Sequence, residues 1–149
     1  MRRNLPMILV RVVVGIVFLT EGILKFLYPD ELGAGRFAHI GLPIPHLLGP
    51  FVGAVEIAAG AAVLLNLYAG DAALLLLLVI VTALATTKIP VLLGHGFWHF
   101  GVPKAATHTG LLGFVHEART DLAMLFCLVA ILLDCGGPRM GKSKKWYQR

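Results

Sequence analysis

The chain has little charge and almost no cysteine. Of its 149 residues, 14% are charged and two are cysteines, while 58% are hydrophobic. A soluble domain carries about 25% charged residues, so this composition excludes an ordinary water-soluble globule. Intrinsic disorder is excluded as well, because disordered chains combine low hydrophobicity with high net charge. The composition therefore predicts an integral membrane protein with one membrane domain over residues 1–149.

The sequence also lacks the motifs of several enzyme classes. It contains no Cys-x-x-Cys pair, no glycine-rich phosphate loop, no nucleophile elbow and no His-x-x-Glu-His metal motif. Cys127 and Cys135 lie eight residues apart, whereas an enzyme that passes disulfides to quinone needs a reactive pair at the membrane face. We interpret both as small apolar packing residues and expect no metal centre. The net charge of +5 does not indicate nucleic-acid binding, because the basic tail suits anionic lipid headgroups.

Long apolar runs predict an all-α transmembrane four-helix bundle. A span needs about 20 apolar residues, because the hydrocarbon core is about 30 Å thick and a helix rises about 1.5 Å per residue. The fourth span is the least obvious, since its uninterrupted apolar run covers only Leu122 to Leu133 and must be extended back to Val115. The predicted spans are residues 7–28, 46–68, 72–93 and 115–135.

The distribution of basic residues predicts the orientation of the bundle. With four spans, the N-terminus and the basic tail at 136–149 share one face. Because cytoplasmic segments carry the excess of lysine and arginine, both termini are predicted to be cytoplasmic. The basic residues of that face are Arg2, Arg3, Arg139, Lys142, Lys144, Lys145 and Arg149.

Ionisable residues inside the predicted spans form the candidate site. Charge is costly at the bilayer centre, so such residues usually face the bundle interior or a watery cavity. Counting the helical rise from the cytoplasmic edge places five of them in one buried polar cluster near the outer mouth. The predicted pairs are Glu56–Lys88 and Glu21–Lys25, while Arg11 is expected to reach cytoplasmic headgroups. The cluster consists of Glu21, Lys25, Glu56, Lys88 and Asp121.

Three interpretations of this cluster stay open. The pairs can serve only to fix the register of the helices, a well-attested role of buried polar groups. They can form a proton path or a polar pocket for a quinone-like head group, with Glu56 as the central proton carrier. They can also serve the transport of a small solute. Replacing Glu56 by glutamine separates the first interpretation from the others, because a register role predicts lower stability with unchanged activity.

All six histidines fall on the predicted external side. His95 and His99 lie four residues apart in the segment GHGFWHFGVP. In a helix they would share a face and could hold a metal ion or ligate a tetrapyrrole axially. Glycine and proline interrupt the segment, so we expect an interfacial or re-entrant element with an aromatic belt. We interpret the histidines first as interfacial residues, with ligation and proton exchange at a pocket mouth as the alternatives.

Glycines at helical spacing predict close packing between helices. Gly15 and Gly22 lie seven residues apart on the first predicted span, and Gly53 and Gly60 repeat this spacing on the second. Small residues let helix backbones approach closely in lipid, where van der Waals contact drives association. The pattern predicts a tight bundle.

Several motifs follow one another along most of the chain. They are Arg11, Gly15, Phe18-Leu19, Gly22 and Lys25, then Gly41-x-Pro43-x-Pro45, then Gly53-x-x-Glu56 and Gly60, and finally HEARTDLAML in the fourth span. In this order they resemble the DoxX family of small four-helix membrane proteins. The resemblance implies a role in bacterial or archaeal inner-membrane redox chemistry, since the family includes a subunit of a thiosulfate:quinone oxidoreductase and components of redox-stress complexes. It marks Arg11, Lys25 and Glu56 as pattern positions without assigned roles.

Three hypotheses for function follow. The first is a small accessory subunit of a quinone-linked electron-transfer complex, not catalytic on its own, whose partners are the lipid bilayer and larger redox subunits. The second is a self-sufficient oxidoreductase of the thiosulfate:quinone type, and the third is a transporter of protons or small solutes. The sequence does not identify a cofactor: quinone is one candidate, and a tetrapyrrole at His95 or His99 is the lesser one. The histidine-rich third loop and the basic tail depart from the family pattern and weaken the thiosulfate assignment.

Overall fold

A computed structural model describes residues 5–103, 106 and 108–136, and this part of the chain is helical without β-strands. A π-helical turn at Leu84–Lys88 joins the fourth and fifth helices into one stretch. The predicted basic tail lies outside the described residues from position 137 onward. The helices are α1 (Leu5–Leu27), α2 (Ala34–Ile40), α3 (Pro45–Leu64), α4 (Ala69–Ala83), α5 (Ile89–Leu93) and α6 (Gly110–Asp134).

Four long helical stretches form the bundle. Three of them are long and apolar enough to cross a membrane, namely Leu5–Leu27, Pro45–Leu64 and Ala69–Leu93. The fourth, α6, has 25 residues and is about 37 Å long. It reaches from one end of the bundle to the other, because its first half contacts the end of the π turn and its last residue contacts α1. The predicted all-α, four-helix architecture is confirmed.

Two helix boundaries differ from the prediction by four or five residues, and the others by at most three. The second long helix ends at Leu64, four residues before Tyr68, because Asn66 and Tyr68 adopt left-handed backbone angles that close a turn. Because this turn is largely apolar, hydropathy alone does not distinguish it from the helix that precedes it. The fourth helix begins at Gly110 and not near Val115, because the mixed polar and apolar residues of its first turns lower the hydropathy without opposing helix formation.

Both ends of the described chain lie at one end of the bundle. Arg11 near the start of α1 and Asp134 at the end of α6 form an ion pair with an N···O distance of 2.7 Å. We call this the termini end. The opposite, loop end carries α2 and the segment 94–103, where the N–H of Gly101 donates to the carbonyl of Ile40 at 3.2 Å. An even number of crossings gives this arrangement, and the cytoplasmic location of the termini end stays a prediction.

α1 and α3 pack together at two pairs of glycines. A methyl group added to Gly22 would lie 2.6 Å from the carbonyl oxygen of Gly53, and one added to Gly15 would lie 2.9 Å from that of Gly60. The two helices are antiparallel, because rising numbers on α1 meet falling numbers on α3. The predicted small-residue seam is confirmed at these four positions.

The outer surface of the bundle is apolar. Phe51, Phe126 and Leu133 are each more than 60% exposed. Side chains such as Val14, Leu76 and Leu128 fill the interior between α1, α3, α4 and α6 and are fully buried. Because lipid solvates apolar side chains, this surface suits the bilayer contact that the three apolar spans imply.

The third span changes its helical winding before Pro90. The N–H of Ile89 bonds to the carbonyl of Leu84, five residues back, which is the spacing of a π-helix. The distortion directly precedes Pro90, which cannot donate a backbone hydrogen bond. The π turn buries the side chain of its last residue, Lys88, inside the bundle.

Candidate functional site

The half of the bundle nearest the loop end contains a cavity of about 510 Å³. Four long helices form its walls and α2 lies across it. Apolar and threonine side chains complete a lining that includes all five members of the predicted polar cluster. The charged lining residues are Glu21, Lys25, Arg36, Glu56, Lys88, Glu117 and Asp121.

A buried ion pair joins α1 and α3 in the cavity wall. The Nζ atom of Lys25 lies 2.7 Å from Oε2 of Glu56, and the two side chains are only 10% and 5% exposed. No other donor in the described residues bonds to this carboxylate oxygen. The same Nζ lies 3.8 Å from Oε2 of Glu21, one helical turn back on α1, and the Glu21 side chain is 51% exposed. The three residues thus lead from the buried interior to the outside of the bundle.

A second, looser cluster joins the third span to α6. Nζ of Lys88 lies 3.7 Å from a carboxylate oxygen of Glu117 and 3.7 Å from one of Asp121. The two acids are four residues apart and therefore share one face of α6. At these distances Lys88 makes no close ion pair with either acid. A further acceptor atom can therefore reach its ammonium group from the cavity.

The structure assigns different partners to two residues than the sequence predicted. The predicted Glu56–Lys88 pair is wrong, because Glu56 pairs with Lys25 while Lys88 turns toward α6. Counting the helical rise gives depth along the bundle, but it does not give the direction in which a side chain points around the helix axis. The predicted Glu21–Lys25 contact is present at 3.8 Å, which is longer than the 2.7 Å between Lys25 and Glu56.

Arg11 also differs from its prediction. Its guanidinium donates to Oδ1 of Asn66 at 2.6 Å and to Oδ2 of Asp134 at 2.7 Å. Headgroup contact was predicted because Arg11 lies close to the cytoplasmic edge of the first predicted span. Both partners come from distant parts of the chain, the α3–α4 turn and the end of α6. Arg11 therefore joins three segments at the termini end.

The histidine-rich segment is not helical. His95 and His99 are exposed at the loop end, and a single β-bridge between Phe97 and Phe100 turns the chain between them. The two imidazoles therefore do not lie on one helical face, as they would if the segment were a helix. In the described residues, no three side chains among His, Cys, Asp and Glu gather closely enough to hold a metal ion. A cofactor at either histidine stays an untested prediction.

Sequence reasoning missed two charged residues of the cavity wall. Arg36 is not part of the predicted cluster, but it lies on the short helix α2 that covers the cavity. Glu117 is not part of it either, although it lies in the first half of α6 and contacts Lys88. The spacing of Glu117, Asp121 and Met124 on one helical face was the available signal, since an inward-facing residue every three or four positions marks a buried stripe.

Some of the residues that line the cavity are also exposed on the sides of the bundle. Glu21 on α1 and Thr120 on the neighbouring α6 both line the cavity and both remain exposed. Leu78 and Thr82 do the same on α4. An opening on the side of a membrane bundle admits molecules that are dissolved in the lipid.

Comparison with known proteins agrees with the motif order. The family model described as DoxX matches residues 7–89. An uncharacterized membrane protein of Mycobacterium tuberculosis, Rv3486, is 46% identical over 125 residues, which cover 84% of this chain and 72% of the relative. No solved structure matches the chain. The chain therefore belongs to the DoxX family and is an integral, multi-pass membrane protein.

Proposed function

We propose that the chain is a small accessory subunit of a membrane-embedded, quinone-linked electron-transfer complex, and that its polar cavity receives the quinone head group. The observation that carries the proposal is the cavity itself, which combines charged, threonine and apolar walls within the membrane-spanning part of the bundle. Its volume of about 510 Å³ falls within the range of roughly 300–1,000 Å³ that is typical of small-molecule sites.

The chemistry of the walls suits a quinone. A quinone carries carbonyl oxygens on an apolar ring, and its reduction takes up protons as well as electrons. Lys88 can donate a hydrogen bond to such an oxygen, because neither of its acids holds it closely. Glu56, Lys25 and Glu21 provide ionisable groups in sequence from the buried wall to the exposed side of α1. They would hold and pass protons along the cavity wall.

The exposed lining residues on the sides of the bundle favour a lipid-soluble ligand, because an entrance between two helices would open toward the lipid. Quinones are carried in the hydrocarbon layer by their apolar tails, so a binding site for the head group must be reached sideways. Such an entrance would lie between α1 and α6, where Glu21 and Thr120 line the cavity and are exposed. A water-soluble substrate would instead need access from the loop end, where α2 lies across the cavity.

The accessory role is tested by isolating the native complex. The tagged chain is extracted from its own membranes in a mild detergent, separated on a native gel and analysed by mass spectrometry. We expect it to migrate with larger subunits that carry redox cofactors. A monomer or homodimer without large partners would contradict the accessory role. If the isolated chain alone reduced quinone with thiosulfate, the self-sufficient oxidoreductase would be correct.

Quinone binding is tested with a photoreactive azidoquinone on the chain in nanodiscs. We expect labelled peptides from α1, α3 and α6, less labelling in the presence of excess unmodified quinone, and weaker labelling in Lys88→Gln. Exposed Glu31, outside the cavity, provides the matched control Glu31→Gln. Labelling confined to exposed apolar surface would contradict the site. Uptake of a solute by sealed vesicles that contain the chain alone would favour transport.

A further inference from the structure

Arg36 lines the cavity, and unlike the other charged lining residues it takes part in none of the ion pairs described above. Its side chain lines the cavity, and its charge acts on the carboxylate of Asp121. Within the described residues, however, no carboxylate lies at ion-pair distance and no acceptor bonds to the guanidinium. A guanidinium has five N–H donors in a fixed planar arrangement. In the described part of the chain these donors have no protein acceptor, and Arg36 lines the cavity.

The position of Arg36 is fixed by the packing of α2. At its start, α2 lies directly on α3, since a methyl group added to Gly49 would lie 2.6 Å from the backbone nitrogen of Ala34. At its end, Gly41 has a left-handed φ of 93° and closes the helix. The bond from the N–H of Gly101 to the carbonyl of Ile40 then attaches α2 to the segment after α5. The guanidinium is thus carried by a helix that is held at both ends.

The neighbours of Arg36 on the cavity wall are apolar. Leu32, Phe37, Ile40 and Leu42 come from the same connection between α1 and α3 and also line the cavity. A ligand that meets this wall therefore encounters an apolar surface with one strong hydrogen-bond donor in it. A flat apolar ring with an oxygen acceptor at its edge fits this combination.

The charges around the cavity decide between a neutral and an anionic ligand. Four carboxylates face three cations, so the lining has a formal excess of negative charge. Two of these cations already face carboxylates at 3.8 Å or less. A dianion such as thiosulfate would meet net repulsion here, whereas a carbonyl oxygen accepts from a guanidinium without bringing charge into the bundle.

We infer that Arg36 anchors the ligand, by donating hydrogen bonds to a carbonyl oxygen of a neutral quinone ring that lies against the apolar wall of α2. This inference rests on the proposed function and extends it, because it names the binding residue and excludes thiosulfate from the cavity. In the two-substrate alternative, thiosulfate would have to bind elsewhere.

The test measures the Kd of a short-chain naphthoquinone for the chain in nanodiscs. A hydrogen bond to a charged donor is worth enough that Arg36→Gln should raise the Kd about 10- to 100-fold. The Kd of Arg36→Lys should lie between those of the wild type and Arg36→Gln, because lysine keeps the charge and loses the planar set of donors. Arg119→Gln removes the same charge from an exposed site on α6 outside the cavity and should leave the Kd unchanged. Equal thermal unfolding midpoints show that the variants are folded.

A second measurement needs no variant. Phenylglyoxal modifies accessible arginines, and mass spectrometry reports the rate at each one. The naphthoquinone should slow the modification of Arg36 and leave that of Arg119 unchanged, and thiosulfate should protect neither. Protection by thiosulfate would overturn the assignment of a neutral ligand.

The two proposals fail in different ways. If the wild-type chain binds no naphthoquinone, the proposed function is wrong and the Arg36 assignment falls with it. If the wild type binds but Arg36→Gln binds equally well and Arg36 gains no protection, the quinone site stands and the Arg36 assignment is overturned.

Discussion

At the scale of single residues, the site depends on the cost of burying charge. Lys25 and Glu56 are each at most 10% exposed and lie in contact at 2.7 Å. A buried pair repays its loss of hydration only while both partners are present, so removing one leaves an uncompensated charge. Lys25 has a second carboxylate nearby, since Glu21 lies 3.8 Å from it. Loss of Glu56 therefore leaves Lys25 with a partner, whereas loss of Lys25 leaves Glu56 without one in the described residues.

The first prediction uses this asymmetry. Lys25→Gln should lower the free energy of unfolding by about 3 kcal/mol, because Glu56 loses its one close partner among the described residues. Glu56→Gln should cost less, since Lys25 can still pair with Glu21, and the double variant should recover part of the loss. Thermal unfolding in detergent measures all three, with the exposed Glu31→Gln as control. Equal losses in the two single variants would show that Glu21 does not support Lys25.

The second prediction concerns Arg11, whose hydrogen bonds to Asn66 and Asp134 hold the termini end together. Arg11→Gln should lower the free energy of unfolding by about 1–3 kcal/mol, because Asp134 and Asn66 lose a donor. In a double-mutant cycle with Asp134→Asn, the two losses should be less than additive. Additive losses would mean that the pair is not formed in the membrane. Quinone binding should not change, since the cavity lies at the other end.

At the scale of helices, hydropathy and spacing predicted much of the bundle. The three apolar spans follow from the length of the apolar runs, and the glycine seam follows from glycines spaced seven residues apart. The turn at Asn66 and the early start of α6 were missed, because apolar turns and amphipathic helix starts carry no hydropathy signal. The partners of Glu56 and Lys88 could not be predicted either, since the direction of a side chain around a helix depends on its neighbours.

The third prediction tests the seam between α1 and α3. Gly22→Ala should lower the free energy of unfolding by about 1–3 kcal/mol, because the added methyl group would lie 2.6 Å from the carbonyl oxygen of Gly53. Separating the helices there should also disturb the Lys25–Glu56 pair, one turn further along. The control Ala54→Val adds volume on an exposed position of α3 and should have little effect. An unchanged unfolding midpoint in Gly22→Ala would show that the seam is looser than described.

At the scale of the whole molecule, the two polar centres divide the bundle. The termini end is joined by Arg11 and its partners, and the loop end contains the cavity, the histidines and α2. If the basic residues set the orientation, the cavity lies in the outer half of the membrane. Under the proposed function, protons that enter the cavity from the loop end would then come from the external side.

The fourth prediction tests that orientation with single cysteines in a variant whose two native cysteines are replaced by serine. Trp98→Cys lies at the loop end, where the native side chain is 88% exposed, and Leu67→Cys lies in the α3–α4 turn at the termini end. In intact cells a membrane-impermeant maleimide should label position 98 and should label position 67 only after permeabilisation, because the positive-inside rule places the termini end in the cytoplasm. The opposite pattern would place the cavity in the cytoplasmic half, and protons for quinone reduction would then be drawn from inside the cell.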